Sequence, residues 1–119
     1  DSAKALQRSY QRQASSLDDQ IHSVLDTLQQ RGLLDNTVVV VTAQHGVDLD
    51  STRTTTGDRS LLQVPLVVHW PNTPAQTITH LTDHQDVMVT LMQRLLHANI
   101  TPASYAQGED LFTTHRHRN

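Results

Sequence analysis

The chain has 119 residues, a net charge of -3 and no cysteine. A chain of this length forms one domain at most and buries about two-thirds of its unfolded surface. The absence of cysteine excludes disulfides, thiolate metal sites and a cysteine nucleophile. Because basic and acidic residues are interspersed, there is no broad basic field, and we expect no nucleic-acid partner. Without a long apolar run, a signal-like start or an initiator methionine, the sequence is expected to be a soluble piece of a larger protein.

The first predicted element is a long amphipathic helix over residues 2–31. Gly32 follows it and can take the left-handed conformation that ends a helix. The apolar residues recur at alternating spacings of three and four, which places them on one stripe. They are Ala3, Leu6, Tyr10, Ala14, Leu17, Ile21, Val24 and Leu28.

Two strands are predicted next, separated by a long loop. Residues 37–42 are β-branched almost throughout, which is typical of a strand covered on both faces in a parallel sheet. Residues 48–63 are mostly polar and predict an exposed loop. Residues 64–70 predict a second buried strand that Pro71 ends. We expect the two strands to pair in parallel, with the long helices covering them, and an open sheet edge to allow association with a second copy.

The rest of the chain predicts one more helix. Residues 77–79 form a marginal strand by composition, and Thr82 or Asp83 can cap a helix over residues 83–97. Residues 99–119 are polar and interrupted by Pro102 and Gly108, which indicates an irregular tail. We expect no internal domain boundary in residues 1–119.

The turn Gln44-His45-Gly46 directly follows the first valine-rich strand. In open α/β folds, ligands bind in the crevice beyond the carboxyl ends of the strands. His45 therefore occupies a position where metal or substrate sites are usual. The neighbouring Gln44, however, is a neutral amide where a metal site would favour a carboxylate.

Sequence blocks across most of the chain carry a family resemblance. Residues 10–46, with the Leu17-Asp-Asp-Gln-Ile21 segment and the His45-Gly46 turn, resemble the C-terminal part of the sulfatase/alkaline phosphatase superfamily. The blocks 64–71, 81–96 and 105–112 resemble a branch of inner-membrane sulfatase-like proteins of Gram-negative bacteria. The resemblance implies an α/β fold with a partial doubly wound, mostly parallel sheet flanked by helices. It also implies a periplasmic location, with the membrane-spanning region outside this chain.

Within that family, an Asp-His-Gly motif after the central strand supplies metal ligands, and here it reads Gln44-His45-Gly46. An amide offers a neutral dipole in place of a charged oxygen, so affinity for Mg²⁺, Mn²⁺ or Zn²⁺ should fall. The resemblance places the nucleophile and an early acidic ligand outside this chain. We therefore expect no catalytic residue and no cofactor within it, a degenerate metal position at His45, and a divalent metal at most in the parent protein.

Two arginines are the remaining binding candidates. Arg53 and Arg59 lie in the predicted loop, where family members commonly present Lys or His. Either guanidinium is suited to hold an anionic headgroup through two parallel hydrogen bonds. The alternative interpretation is that both are solvated loop charges.

The other polar clusters have structural interpretations. His80 and His84 are four residues apart, but His80 should precede the helix, which argues against a two-histidine metal site. His69 is expected to be a hydrogen-bonded histidine at the edge of the core. Asp83 and Asp86 suit the N-terminus of a helix, where the dipole favours negative charge.

Two functions follow as hypotheses. The resemblance implies a non-catalytic sensing or interaction module in outer-membrane lipid homeostasis, with lipopolysaccharide, lipid A or cardiolipin and membrane proteins as partners. The alternative is a metal-dependent phosphatase or sulfatase whose other ligands and nucleophile lie outside these residues.

Overall fold

The computed structural model describes residues 2–47 and 61–114. It divides into two compact units, Asp1–Pro74 and Ala75–Asn119. The division falls at the end of a turn-rich segment after the second strand. The expected single domain stays a prediction, because a packing unit within one chain is not by itself an independently folding domain.

Helix α1 spans Ser2–Gln30, so the predicted helix is present and ends one residue early. Gly32 has a φ of 64°, and its N–H donates to the Gln29 carbonyl at 3.0 Å while the Leu33 N–H donates to the Leu28 carbonyl at 2.8 Å. This pair of bonds is the Schellman arrangement that ends helices at glycine. The chain then makes a 3₁₀ turn at Leu34–Asn36.

The apolar stripe of α1 is present but does not form a core within the first unit. No residue of α1 is buried. Ile21, Leu25 and Leu28 are half-buried, whereas Leu17 and Val24 remain more than half exposed. The expectation that this long helix covers the strands is therefore not met by the described residues.

The sheet consists of β1 (Val39–Thr42) and β2 (Leu66–His69). Their pairing is antiparallel, with Val39 opposite His69 and Thr42 opposite Leu66. The prediction of a parallel pair was therefore wrong. Valine content reports burial and β-propensity but not strand direction, and an antiparallel edge strand is common on an otherwise parallel sheet.

Burial of the strands is also lighter than expected. The β1 valines are half-buried, and Val67 in β2 is 63% exposed. A strand is covered on both faces only when other elements pack on both sides of its sheet. A two-stranded sheet alone does not provide these layers.

The second unit is built around α2 (His84–Thr90), which continues as a π-helical turn at Leu91–Leu95. The expected helix over residues 83–97 is thus present in its main part. His97 has a φ of 50°, which ends the helical segment. The core of this unit is small, with Val89 and Leu111 buried.

Residues 99–114 are mostly irregular, as predicted, apart from a 3₁₀ turn at Pro102–Ser104. The rest of the predicted tail, residues 115–119, lies outside the described residues. Residues 77–79 do not form the marginal strand that their composition predicts. Three residues without a neighbouring strand to pair with do not form a ladder. No helix in the described ranges is both long enough and apolar enough to cross a bilayer.

Candidate functional site

The Gln44-His45-Gly46 turn leaves the end of β1 and is tied to the chain that leads into β2. The Gly46 N–H donates to the Leu61 carbonyl at 2.8 Å. At the last residue of β1, the Thr42 hydroxyl donates to the Pro65 carbonyl at 2.8 Å. These two bonds fix the turn against the start of the neighbouring strand. Gln44 and His45 are both exposed on this turn.

The imidazole of His45 is oriented by the backbone beside it. Its Nδ1 lies 2.7 Å from the Gly46 carbonyl oxygen. Because a carbonyl only accepts, a neutral His45 ring must carry its proton on Nδ1 and its lone pair on Nε2. Metal-bound histidines are commonly oriented in this way, with the second nitrogen donating to a carbonyl. The turn therefore presents one nitrogen suited to a metal or a proton.

One imidazole is too little to hold a dication. No group of three or more His, Cys, Asp or Glu side chains in the described ranges could hold a metal ion. The amide of Gln44 adds a neutral oxygen, which Mg²⁺ and Mn²⁺ favour less than a carboxylate. These two residues do not fit a metal site without further ligands.

The sequence-predicted binding arginines cannot be placed beside this turn. Arg53 and Arg59 lie outside the described residues. Their assignment to an anionic headgroup stays a prediction.

The structural interpretations of the other polar residues are supported. His80 precedes α2 and His84 begins it. Asp83 caps α2, accepting from the Gln85 N–H at 2.8 Å and the Asp86 N–H at 3.2 Å. The Nε2 of His69 lies 3.0 Å from the Leu34 carbonyl in a half-buried position.

The sequence did not predict the role of one buried side chain in the second unit. Asp86 is fully buried, and its carboxylate accepts from the Asp83 N–H at 2.9 Å and the Glu109 N–H at 2.7 Å. The sequence predicted only its position near a helix N-terminus. The available signal was the spacing Asp83-x-x-Asp86, which matches a capping box with aspartate in place of glutamate.

Known proteins identify the family of the chain. The sequence profile of the Sulfatase family matches residues 2–97. The inner membrane protein YejM of Salmonella typhimurium is 50% identical over 111 residues, which cover 92% of this chain and 19% of that protein. YejM of Salmonella typhi matches equally. An uncharacterized protein of Haemophilus influenzae is 31% identical over 96 residues, covering 77% of this chain and 16% of its own length.

The chain thus spans about a fifth of the length of the curated relatives that it matches. The resemblance stated from the sequence is confirmed, including the branch of inner-membrane proteins. Membership implies an alkaline phosphatase-like α/β fold, of which the two units described above are a part. The chain belongs to the sulfatase family.

Proposed function

We propose that this chain is part of a periplasmic, sulfatase-like domain that senses or binds partners without catalysis. The parent would be an inner-membrane protein that acts in outer-membrane lipid or lipopolysaccharide homeostasis. The observation that carries the proposal is Gln44 beside His45 at the end of β1, where the family places a metal-ligating carboxylate.

The chemistry of the turn supports loss of catalysis. Sulfuryl and phosphoryl transfer by metal-dependent hydrolases needs a cation to activate the nucleophile and to stabilise the charge that develops on the transferred group. An amide and one exposed imidazole leave that cation without a local anionic ligand. A site that keeps its fold but no longer binds a metal is expected to retain the oriented histidine and to lose the neighbouring carboxylate.

One observation favours the alternative, a metal-dependent phosphatase or sulfatase. The bond from His45 to the Gly46 carbonyl leaves Nε2 in the state that ligates metals. If ligands elsewhere in the parent supply enough negative charge, His45 completes the site and Gln44 is tolerated. A hydrolase of this kind would take its nucleophile from outside this chain.

The deciding experiment measures metal binding by the complete periplasmic domain and by its Gln44→Asp variant. Restoring the carboxylate should raise the affinity for Mn²⁺ or Mg²⁺ at least tenfold in calorimetry, since it adds a charged oxygen ligand. Gln13→Asp, an identical change on the exposed surface of α1, is the matched control and should leave the affinity unchanged. Equal affinity of all three proteins would show that the site is misplaced.

Hydrolysis separates the two functions directly. The wild-type domain should release no nitrophenol from nitrophenyl phosphate or nitrophenyl sulfate, with or without Mn²⁺. Turnover that rises with metal concentration and is abolished by His45→Ala would overturn the non-catalytic proposal and establish the hydrolase.

The partner proposal rests on Arg53 and Arg59 as ligands of an anionic headgroup. Vesicles that contain cardiolipin and micelles of lipid A are the two probes, because both present phosphates. Binding of either probe to the complete domain should weaken when both arginines are changed to Gln. If binding persists, the phosphates are held elsewhere and the two arginines are solvated loop charges.

A further inference from the structure

A short segment near the end of the described chain is fastened to α2 by side chains of the helix. We call Gln107–Leu111 the strap. Every second backbone N–H of the strap donates to a side chain of α2. The bonds are Gln107 N to Gln85 Oε1 at 2.7 Å, Glu109 N to Asp86 Oδ1 at 2.7 Å, and Leu111 N to Thr90 Oγ1 at 2.9 Å.

The spacing of two is that of an extended chain, whose successive N–H groups point to opposite sides. In a sheet, a neighbouring strand would accept these bonds. Here a glutamine, an aspartate and a threonine of one helix take that place. Gly108 lets the strap lie against the helix backbone, since a Cβ there would stand 2.3 Å from the Gln85 carbonyl carbon.

The attachment of the strap is mainly polar, because the Asp110 carboxylate also accepts from Arg94 Nε at 2.6 Å. Leu111 is the one strap residue in the buried apolar core, together with Val89 of α2. Segments held by polar bonds and little apolar area belong to the low-stability end of a protein and open before the rest. The strap has that character.

Helix α2 has its own support at its N-terminus. Asp83 and Asp86 form a capping box in which each side chain accepts from the other residue's backbone N–H. Neither of these bonds involves the strap. The start of α2 can therefore remain folded when the strap leaves it.

Two of the attachment points, Asp86 and Thr90, are linked through a shared group. The Thr90 hydroxyl accepts from the Leu111 N–H and donates to the Asp86 carbonyl at 2.6 Å. The Asp86 carboxylate in turn holds Glu109. Losing one bond loosens the geometry of the next, because all three acceptors are side chains of one short helix.

We propose that the strap is a detachable element that opens and closes as one unit while α2 stays folded. Opening uncovers the acceptors of Gln85, Asp86 and Thr90 together with Val89. The strap thus covers one side of α2 when it is closed. Its position is set by hydrogen bonds to side chains of the helix and not by pairing with a strand.

Amide hydrogen exchange on the 119-residue chain, followed by NMR, tests this proposal. The N–H groups of Gln107, Glu109 and Leu111 should share one protection level, below that of the hydrogen-bonded amides within α2. Thr90→Val should lower the protection of all three amides about tenfold, the effect of losing the one hydrogen bond that the Thr90 hydroxyl makes to the strap. Thr90→Ser keeps the hydroxyl and should retain the protection.

Gln85→Ala provides a second test at an exposed position, where misfolding is not expected. It removes the acceptor of Gln107 and should lower protection at Glu109 and Leu111 as well. Gln76→Ala, an exposed glutamine of the same unit, is the control and should change none of them.

Three results would overturn the proposal. The first is a variant that affects its own bonded amide alone, since the strap would then not move as one unit. The second is an equal loss of protection in α2, which would make the strap inseparable from the helix. The third is a wild-type strap whose amides exchange at unprotected rates.

Discussion

The Nε2 of His69 lies 3.0 Å from the Leu34 carbonyl oxygen, which joins the end of β2 to the 3₁₀ turn that follows α1. His69 also pairs with Val39 across the sheet. One side chain thus connects the turn after α1 with the last pair of the β-ladder. This explains why a histidine stands in an otherwise apolar strand.

Replacing His69 with Phe should destabilise the first unit. The ring volume is kept, but the half-buried Leu34 carbonyl loses the imidazole donor and keeps only the Thr37 N–H, 3.2 Å away. The loss of one hydrogen bond should cost about 1 kcal/mol. Urea denaturation of the 119-residue chain measures the change. His22→Phe is the control, because His22 is highly exposed and its 3.2 Å contact with the Asp26 carboxylate lies on the helix surface. Similar losses from both substitutions would contradict a structural role for the His69 bond.

His45 and His69 should occupy opposite tautomers. His69 donates from Nε2 to a carbonyl, whereas His45 donates from Nδ1. In the neutral rings, long-range proton-nitrogen correlation should show the proton on Nε2 of His69 and on Nδ1 of His45. The exposed His80 serves as the reference ring. The same tautomer at both sites would mean that one of the two carbonyl contacts is absent in solution.

Local features of the fold were predictable from sequence, and features set by distant partners were not. The stripe of α1, its end at Gly32 and the Asp83 cap depend on residues within one or two helical turns, so spacing and residue type reveal them. The direction of β2 depends on how the whole sheet is wound. Nothing in residues 64–70 encodes that direction.

The candidate site divides in the same way. The sequence identified the His45 turn, because a strand end followed by His-Gly is a local signal. It gave no indication that Asp86 holds the strap, since residues 86 and 109 are brought together only by tertiary packing. Gly108 was interpreted as a sign of irregular chain, whereas its role is to allow contact with the helix backbone.

Gly108→Ala should be far more damaging than Gly32→Ala. A methyl group at 108 would stand 2.3 Å from the Gln85 carbonyl carbon and oxygen and 2.6 Å from the Asp86 nitrogen, so the strap must move away. At Gly32 nothing lies within 4 Å, and the cost comes from its φ of 64° alone. That conformational cost is about 1 kcal/mol, and the loss at 108 should exceed it at least twofold. The urea midpoints of unfolding of the two variants test this order. Equal midpoints would mean that the strap can move away from the helix without a further loss of stability.

Asp86→Ala should lower the free energy of unfolding more than Asp83→Ala does, because Asp86 also holds the strap whereas Asp83 caps the helix. Removing the fully buried Asp86 carboxylate leaves the N–H groups of Asp83 and Glu109 without this acceptor in part-buried positions, which should cost about 3 kcal/mol. Removing the Asp83 cap exposes helix donors to water and should cost about 1 kcal/mol. Asp86→Asn preserves one acceptor oxygen and should fall between them. Denaturation of the three variants under identical conditions tests this order, and a cap loss as large as the Asp86→Ala loss would contradict it. The order follows from burial, because a donor that reaches water replaces its lost partner and a donor enclosed by protein does not.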